Sequence, residues 1–209
     1  MANAAEARSA RKRQEVIDAA RTVFLSNGYV GAGMDEVAAL ASTSKRTVYG
    51  LFGDKKGLFI AVITAAVDVA DQRSQDAIEA LAASEDVESG LRAFARQHVA
   101  TVTQPHLMRL RRLVIGEAER FPELARAWYA SGPERSHATI ARVFATLAER
   151  QLLTVDDPQL AAQHFNWLVV SVPLNKAMFH AADDRFGPEE LQRYADEGTR
   201  VFLAAYGAR

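Results

Sequence analysis

A chain of 209 residues with 49% hydrophobic side chains is long enough and apolar enough to bury a core, so a folded protein is expected and not a disordered one. The lack of cysteine excludes thiol nucleophiles, disulfides and cysteine-ligated metal sites. The formal net charge is −1, but residues 1–57 hold nine basic and six acidic side chains, against 16 and 20 in the remainder. This asymmetry indicates an N-terminal part that meets a polyanion.

Membrane and secretory segments are not expected. The longest apolar stretch, Leu58 to Val67, is interrupted by Thr64, whereas a spanning helix needs about 20 apolar residues. The charged N-terminus has no apolar run behind it, unlike a secretory signal. We therefore expect a cytoplasmic protein.

Apolar residues recur at helical spacing along nearly the whole chain, without the alternation of a strand. A first helix is predicted to end at Asn27-Gly28, a common stop signal. Two short helices follow, Met34 to Ala41 and about Lys45 to Leu51, and Ser42-Thr43-Ser44 supplies the turn and N-cap between them. Asp54 is predicted to cap a much longer helix.

Longer helices are predicted in the rest of the chain. The apolar stripes indicate helices over 87–102 and 107–121, another that begins at Pro122 and is disturbed at Gly132-Pro133, and two more from Pro158 to about His180 and from Pro188 to near Gly207. The fold class is therefore all-α, with about nine helices. We expect an N-terminal three-helix domain over residues 1–57 and a helical domain over residues 58–209.

Two short helices joined by a tight turn, set on a preceding helix, describe a helix-turn-helix, which binds DNA. Val48 and Phe52 pack inward at a spacing of four and leave a polar helix face for the major groove. The predicted DNA-binding residues are Thr43, Ser44, Lys45, Arg46, Thr47, Tyr49 and Lys55. Base contacts are expected from Arg46 and Thr47, and phosphate contacts from Ser44, Lys45, Tyr49 and Lys55. A solvated cationic hairpin without a partner is the alternative interpretation.

The segment "GYVGAGMDEVAALASTSKRTVYGLFGDKKGLF" resembles the DNA-binding domain of TetR-family transcriptional regulators. It departs from the family pattern at four places. Ala32-Gly33 replaces a Thr/Ser pair, so the hydroxyl cap of the second helix should be missing. Ser42 stands at the turn glycine, Arg46 replaces a glycine, and Gly50-Leu51 replaces a Tyr-His pair. Arg46 thereby adds a bidentate donor suited to a guanine edge.

A second segment, "LRRLVIGEAERFPELARAWYASGP", resembles the ligand-binding domain of one broad group in the same family. The resemblance implies that the C-terminal helices form a dimer interface and a pocket for a small effector. The apolar surroundings of His98 favour a core histidine over a ligand group, and the aromatic candidates suit a core equally well. The pocket candidates are Phe94, His98, Arg112, Trp128, Phe144 and Phe165.

The penultimate helix is apolar on two sides, which predicts burial on both. One stripe holds Ala161, Phe165, Leu168 and Val172, and the other includes Trp167 and Leu174. Together with the last helix it could form a four-helix interface with a second copy. The predicted interface residues are Leu160, Trp167, Leu174, Met178, Leu191, Tyr194 and Val201. Alternatively, both helices complete a large monomer core.

The function that these features predict is a homodimeric transcriptional regulator. By family resemblance it would be a repressor, released from a palindromic operator by a small apolar or amphipathic effector. The alternative is a DNA-binding dimer without a small-molecule effector, controlled by a protein partner. An all-α enzyme using His98, Glu117 and Glu119 lacks a nucleophile–base spacing or phosphate loop. We expect no enzymatic activity, cofactor or metal.

Overall fold

The computed structural model describes residues 2–179 and 186–208. Over these ranges the chain forms ten α-helices and one π-helical turn, with no strand beyond an isolated bridge between Leu153 and Gly207. The helices are α1 Ala2–Gly31, α2 Met34–Leu40, α3 Lys45–Phe52, α4 Lys55–Ala83, α5 Val87–Val102, α6 Pro105–Gly116, α7 Pro122–Tyr129, α8 Arg135–Glu149, α9 Pro158–Phe179 and α10 Pro188–Tyr206. The predicted all-α class is confirmed, with one helix more than expected.

Helix ends follow the local signals closely. Gly28, inside the first helical segment, has φ 72° and ψ 172°, so regular helix stops at the predicted Asn27-Gly28. The disturbance predicted at Gly132-Pro133 is a π-helical turn over Ala130–Glu134 between α7 and α8. Pro133 cannot donate to the preceding turn, which fits a local change of helix type there. The predicted end of α9 near His180 lies outside the described residues.

The chain divides into two compact units, which are discontinuous in sequence. The first unit comprises residues 1–67 and 109–131, and the second comprises residues 68–108 and 132–209. The predicted domain boundary at residue 57 lies in the first turn of α4. The division into domains at that residue stays a prediction. None of the helices in the described ranges is long and apolar enough to cross a membrane.

The first unit has an aromatic core that fixes the end of α1. Phe24, Tyr29 and Phe59 pack ring against ring, with centroids 4.7–5.9 Å apart. Phe121, from the segment that follows α6, closes this cluster at 4.7 Å from Tyr29. Residues distant in sequence therefore join the core of the helix-turn-helix region.

The second unit is built on α9, which packs against α5, α8 and α10. Its centre is a cluster of fully buried phenylalanines in direct ring contact, 5.0–5.9 Å between centroids: Phe94, Phe144, Phe165 and Phe202. At the crossing of α10 over α9, Gly198 faces the backbone of Leu168, where a Cβ would lie 2.9 Å from the carbonyl oxygen. Only glycine lets the two helices approach so closely.

Candidate nucleic-acid interface

The turn between α2 and α3 sets the direction of the predicted recognition helix. Ser42 has φ 47°, a left-handed conformation at the position where the family pattern has glycine. Ser44 caps α3, because its hydroxyl oxygen accepts from the backbone N–H of Thr47 at 3.0 Å. Gly33 caps α2 with no side-chain hydrogen bond, so the predicted loss of the hydroxyl cap is confirmed.

The hydroxyls of Ser44 and Thr47 lie 2.8 Å apart and hydrogen-bond to each other. Ser44 therefore organises the first turn of α3, in addition to any phosphate contact. Thr43 is half-buried between the two helices. Val48 is fully buried, as its spacing to Phe52 predicted, whereas Phe52 is half-buried.

The outer face of α3 carries Arg46 and Tyr49, both exposed. Within the described residues the guanidinium of Arg46 makes no hydrogen bond or ion pair. Lys45 instead pairs with Asp35 of α2, with 2.9 Å between its ammonium and the carboxylate. Hydrogen bonding to that carboxylate raises the pKa of Lys45 above its ordinary value. A phosphate contact by Lys45 would therefore require its ammonium to leave Asp35, whereas the guanidinium of Arg46 has no such partner among the described residues to leave.

Lys55 is placed differently from the other predicted phosphate contacts. Its ammonium donates to the carbonyl oxygen of Val30 at 2.8 Å and lies 5.2 Å from the centre of the Tyr29 ring. Burial lowers the pKa of Lys55, while the carboxylate of Glu117 opposes that shift. The side chain therefore ties the start of α4 to the end of α1, and its phosphate contact stays a prediction.

The link between α3 and α4 is the tight turn Gly53-Asp54, and a second glycine, Gly57, follows in the first turn of α4. Gly53 has φ 77°, which favours glycine. Asp54 caps α4 as predicted, accepting from the backbone N–H of Gly57 at 2.7 Å. A Cβ on Gly57 would overlap the carbonyl oxygen of Phe52. This turn consequently fixes the recognition helix on the first turn of α4.

The effector-pocket candidates divide between the two units. Phe94, His98, Phe144 and Phe165 lie together in the second unit and are all buried. Arg112 and Trp128 belong to the first unit, where Arg112 is exposed and the Trp128 indole N–H is buried without an acceptor among the described residues. The predicted lining is therefore one packed aromatic cluster plus two side chains of the other unit.

His98 is a hydrogen-bonded core histidine, the interpretation that its apolar surroundings favoured. Its Nε2 lies 2.9 Å from the Oδ1 of Asn166. Burial lowers the pKa of His98, the Asn166 bond opposes that shift, and the nearby His137 adds to it. Sequence reasoning missed Asn166. A single amide within an otherwise apolar helix face was the available signal, because a buried amide needs a partner.

The dimer candidates on α9 and α10 are exposed to different degrees. Leu160, Trp167 and Val201 are exposed, Met178, Leu191 and Tyr194 are half-buried, and Leu174 is buried within the subunit at 6% exposure. The predicted stripes need one correction. Leu168 and Val172 were placed on the face of Phe165 but are exposed beside Trp167, because the buried face of α9 is centred on Phe165 and Val169 instead.

Four of the five exposed large apolar side chains of α9 form a stripe at helical spacing, which we call the α9 stripe: Leu160, Trp167, Leu168 and Val172. The fifth, Phe179, is the last residue of the helix. Beside it, a groove is lined by both α9 and α10, including Trp167, Leu168, Val201 and Ala205. At its edge the Nδ1 of His164 lies 2.6 Å from the hydroxyl of Tyr206. A contiguous apolar surface of this kind is typical of a protein interface.

Comparison with known proteins covers almost the whole chain. Residues 16–62 match the tetR family of bacterial regulatory proteins, and residues 89–208 match the C-terminal domain of AefR-like transcriptional repressors. The crystal structure of a TetR-family transcriptional regulator from Mesorhizobium loti MAFF303099 is 40% identical to this chain. The match covers 96% of this chain and 99% of that one, with a TM-score of 0.90.

Two further relatives carry more specific names. The flavonoid-responsive regulator FrrA is 29% identical over 96% of this chain and 99% of its own, with a TM-score of 0.76. The HTH-type transcriptional activator FasR of Mycolicibacterium smegmatis is 42% identical over 57 residues, which are 27% of this chain. The chain spans only about a quarter (26%) of the length of that curated relative.

Proposed function

The chain belongs to the TetR family and is a DNA-binding transcriptional regulator, and we propose that it acts as a homodimeric repressor which a small apolar or amphipathic effector releases from a palindromic operator. The observation that carries the proposal is the outer face of α3. There the guanidinium of Arg46, which has no partner in the described part of the chain, and the exposed ring of Tyr49 project from a helix whose inner face is fixed by Val48.

We assign recognition of the DNA base sequence to Arg46 and Thr47. A guanidinium can bind the O6 and N7 of guanine with two hydrogen bonds, which discriminates between bases by about 1–3 kcal/mol. Lys45 would leave Asp35 for a phosphate, and Tyr49 and Ser44 would add phosphate contacts. Positioning and reading are thus divided between neighbouring side chains of one short helix.

A homodimer is supported by the α9 stripe. An isolated subunit would leave Trp167 about half exposed, at 48%, together with Leu168 and Val172. Burial of such side chains against a second copy is worth roughly 25 cal/mol per Å² of apolar surface. A two-fold dimer places two recognition helices on half-sites about 34 Å apart, which is why a palindromic operator is proposed.

Repression is favoured by the description of the family that matches residues 89–208, which names repressors. FasR, whose matched region is confined to 57 residues, is named an activator. The longer match carries more weight here. Action on DNA would place the protein in the cytoplasm of a bacterial cell.

The effector proposal is supported by the aromatic cluster of the second unit and by the name of FrrA, which responds to a flavonoid. An apolar or amphipathic molecule would replace ring contacts around Phe94, Phe144 and Phe165 in the second unit, with its polar end at His98. Release from DNA requires the effector to prefer the DNA-incompetent state, and DNA must then weaken effector binding by the same factor.

The packing of that cluster favours a second candidate, control by a protein partner without a small effector. The rings of Phe144 and Phe165 are already in contact at 5.6 Å, and the Nε2 of His98 is engaged by Asn166. Flavonoids and fatty acids titrated into the protein–operator complex separate the two candidates. Release by such a molecule supports the effector, whereas release only by a protein supports the partner.

The central experiment is footprinting of the purified protein on DNA around its own coding locus. A protected, two-fold symmetric site is expected. Arg46→Ala should cost about 1–3 kcal/mol and relax one base position in each half-site. Arg142→Ala, which removes an exposed charge from α8 of the second unit, is the matched control and should bind as the wild type does. A protein that protects no DNA would refute the proposal.

A further inference from the structure

The first turns of α1 carry basic side chains that the helix-turn-helix does not use. Residues 6–15 hold four basic and two acidic side chains. All six residues from 6 to 11, which we call the α1 overhang, are exposed. Within the described part of the chain Arg8 has no hydrogen-bond or ion-pair partner, whereas Arg11 pairs with Glu15 at 3.2 Å. The overhang is therefore a solvent-exposed helical segment.

Two contacts place this end of α1 beside the recognition helix. The ammonium of Lys12 lies 3.5 Å from the carbonyl oxygen of Ala41, which closes α2 just before the turn into α3. The guanidinium of Arg13 lies 4.9 Å from the centre of the Phe52 ring, at the last residue of α3. Arg8 is four residues before Lys12, one helical turn or about 6 Å farther along the same face.

Charge neutralisation within α1 leaves this end basic. The carboxylate of Glu15 is shared by Arg11 and by Lys12, whose ammonium is 2.6 Å away. Glu6 is exposed on the overhang and opposes an anion there. The positive charges of Arg8, of Arg13 and of one of the two cations that share Glu15 exceed the single negative charge of Glu6. The local excess of positive charge thus lies next to the end of α2 and the end of α3.

We propose that the α1 overhang is a second DNA-contacting surface, in which Arg8 and Arg11 bind backbone phosphates that flank the base pairs read by α3. The proposal rests on the proposed function, because α3 must be seated in the major groove. A helix about 10–12 Å in diameter does not enter a minor groove about 6 Å wide, so the overhang stays outside the groove, where backbone phosphates are the partners nearest to its side chains. Arginine suits them because its planar guanidinium binds phosphate oxygens in pairs.

The test compares Arg8→Ala and Arg8→Ala/Arg11→Ala with the wild type in the full-length protein. The probes are a 30-bp duplex selected by the wild type from a random pool, and the same duplex shortened at both ends to the base pairs that the selection holds invariant. Binding is measured between 50 and 200 mM salt. Each subunit of an Arg8→Ala dimer should neutralise one phosphate fewer. The logarithm of the affinity falls with the logarithm of the salt concentration by about 0.9 per neutralised phosphate. The loss of affinity between 50 and 200 mM salt should therefore be about tenfold smaller for the Arg8→Ala dimer than for the wild type.

Ethylation of individual phosphates supplies the spatial readout. Ethylation at flanking phosphates should weaken the wild type but leave the double variant unaffected, and shortening the duplex should likewise weaken only the wild type. Arg142→Ala controls for the loss of one charge. Unchanged interference at the flanks, or equal weakening of both variants and wild type by shortening, would overturn the proposal. A wild type that selects no duplex would instead refute the proposed function. Thermal unfolding, expected to be unchanged because Arg8 is exposed, excludes a folding defect.

Discussion

Replacement of Gly198 by alanine tests the packing that presents the α9 stripe. In the second unit an added Cβ would lie 2.9 Å from the carbonyl oxygen and 3.0 Å from the carbonyl carbon of Leu168, and 3.1 Å from the Cα of Val169. All three are backbone atoms in the middle of α9, so no flexible side chain can move away. The two helices must separate instead, by roughly 0.5 Å to reach ordinary contact distances.

The separation lowers the free energy of unfolding because it weakens the packing between α9 and α10. Phe202 of α10 packs on Phe165 of α9 at 5.2 Å between ring centroids, and a gap of about 0.5 Å forfeits roughly a quarter of each contact energy. Overpacking of this kind costs about 1–3 kcal/mol, and the better helix propensity of alanine returns about 1 kcal/mol. We expect Gly198→Ala to lower the free energy of unfolding by about 1 kcal/mol and the midpoint of unfolding by about 2–4 °C.

Gly50→Ala is the matched control for this change. Gly50 lies inside α3 with nothing within 4 Å of an added Cβ, so alanine there should stabilise by about 0.5–1 kcal/mol through propensity alone. Both variants are measured by circular dichroism in urea and by thermal melting. A Gly198→Ala variant as stable as Gly50→Ala would refute the close helix crossing and the reasoning built on it.

Three further outcomes are expected. Asp35→Asn should strengthen DNA binding in a filter or fluorescence assay, because Lys45 loses its carboxylate partner and a negative charge leaves the interface; weaker binding would contradict this. Trp167→Asp should give monomers in sedimentation with unchanged folding, whereas Leu174→Asp should unfold the chain, since an unpaired charge would be buried. Burial lowers the pKa of His98 in the folded state, whereas in the unfolded state histidine has its ordinary pKa of about 6.5. The unfolded state therefore binds more protons as the pH drops below about 6.5, and stability should fall there by at most about 1.4 kcal/mol per pH unit. His98→Gln should flatten this dependence in urea titrations at pH 7.5 and 5.5, and an unchanged slope would contradict the assignment.

The elements of this fold were predictable where their signals are local. Gly28 stops α1, Asp54 caps α4 and Pro133 accompanies a change of helix type, each through its own backbone chemistry. The helix-turn-helix followed from a short run of such signals. Its exposed cations could be named from the sequence because an outward face is fixed by the spacing of Val48 and Phe52.

Partners across long sequence distances could not be predicted. The Tyr29–Phe121 contact joins residues 92 positions apart (121 minus 29), and no periodicity encodes such a pair. The same holds for Lys55. Its charge and its position at the start of a helix predicted a phosphate contact, whereas its ammonium donates to the carbonyl oxygen of Val30, 25 residues earlier. On α9, apolar residues occur on both sides, so periodicity alone left open which side faces α8 and α10.

Chain connectivity constrains how an effector signal would reach the recognition helix. The chain passes between the two units at residues 67–68, 108–109 and 131–132, and every passage lies inside a helical segment. The first is within α4, which begins at Lys55, and the second is within α6. The third lies in the π-helical turn, where Pro133 removes a backbone donor. Helical passages transmit a displacement along their axis more faithfully than a flexible linker does. These three segments are the covalent routes by which either mechanism could reach the first unit, and α4 alone leads directly into the turn that holds α3.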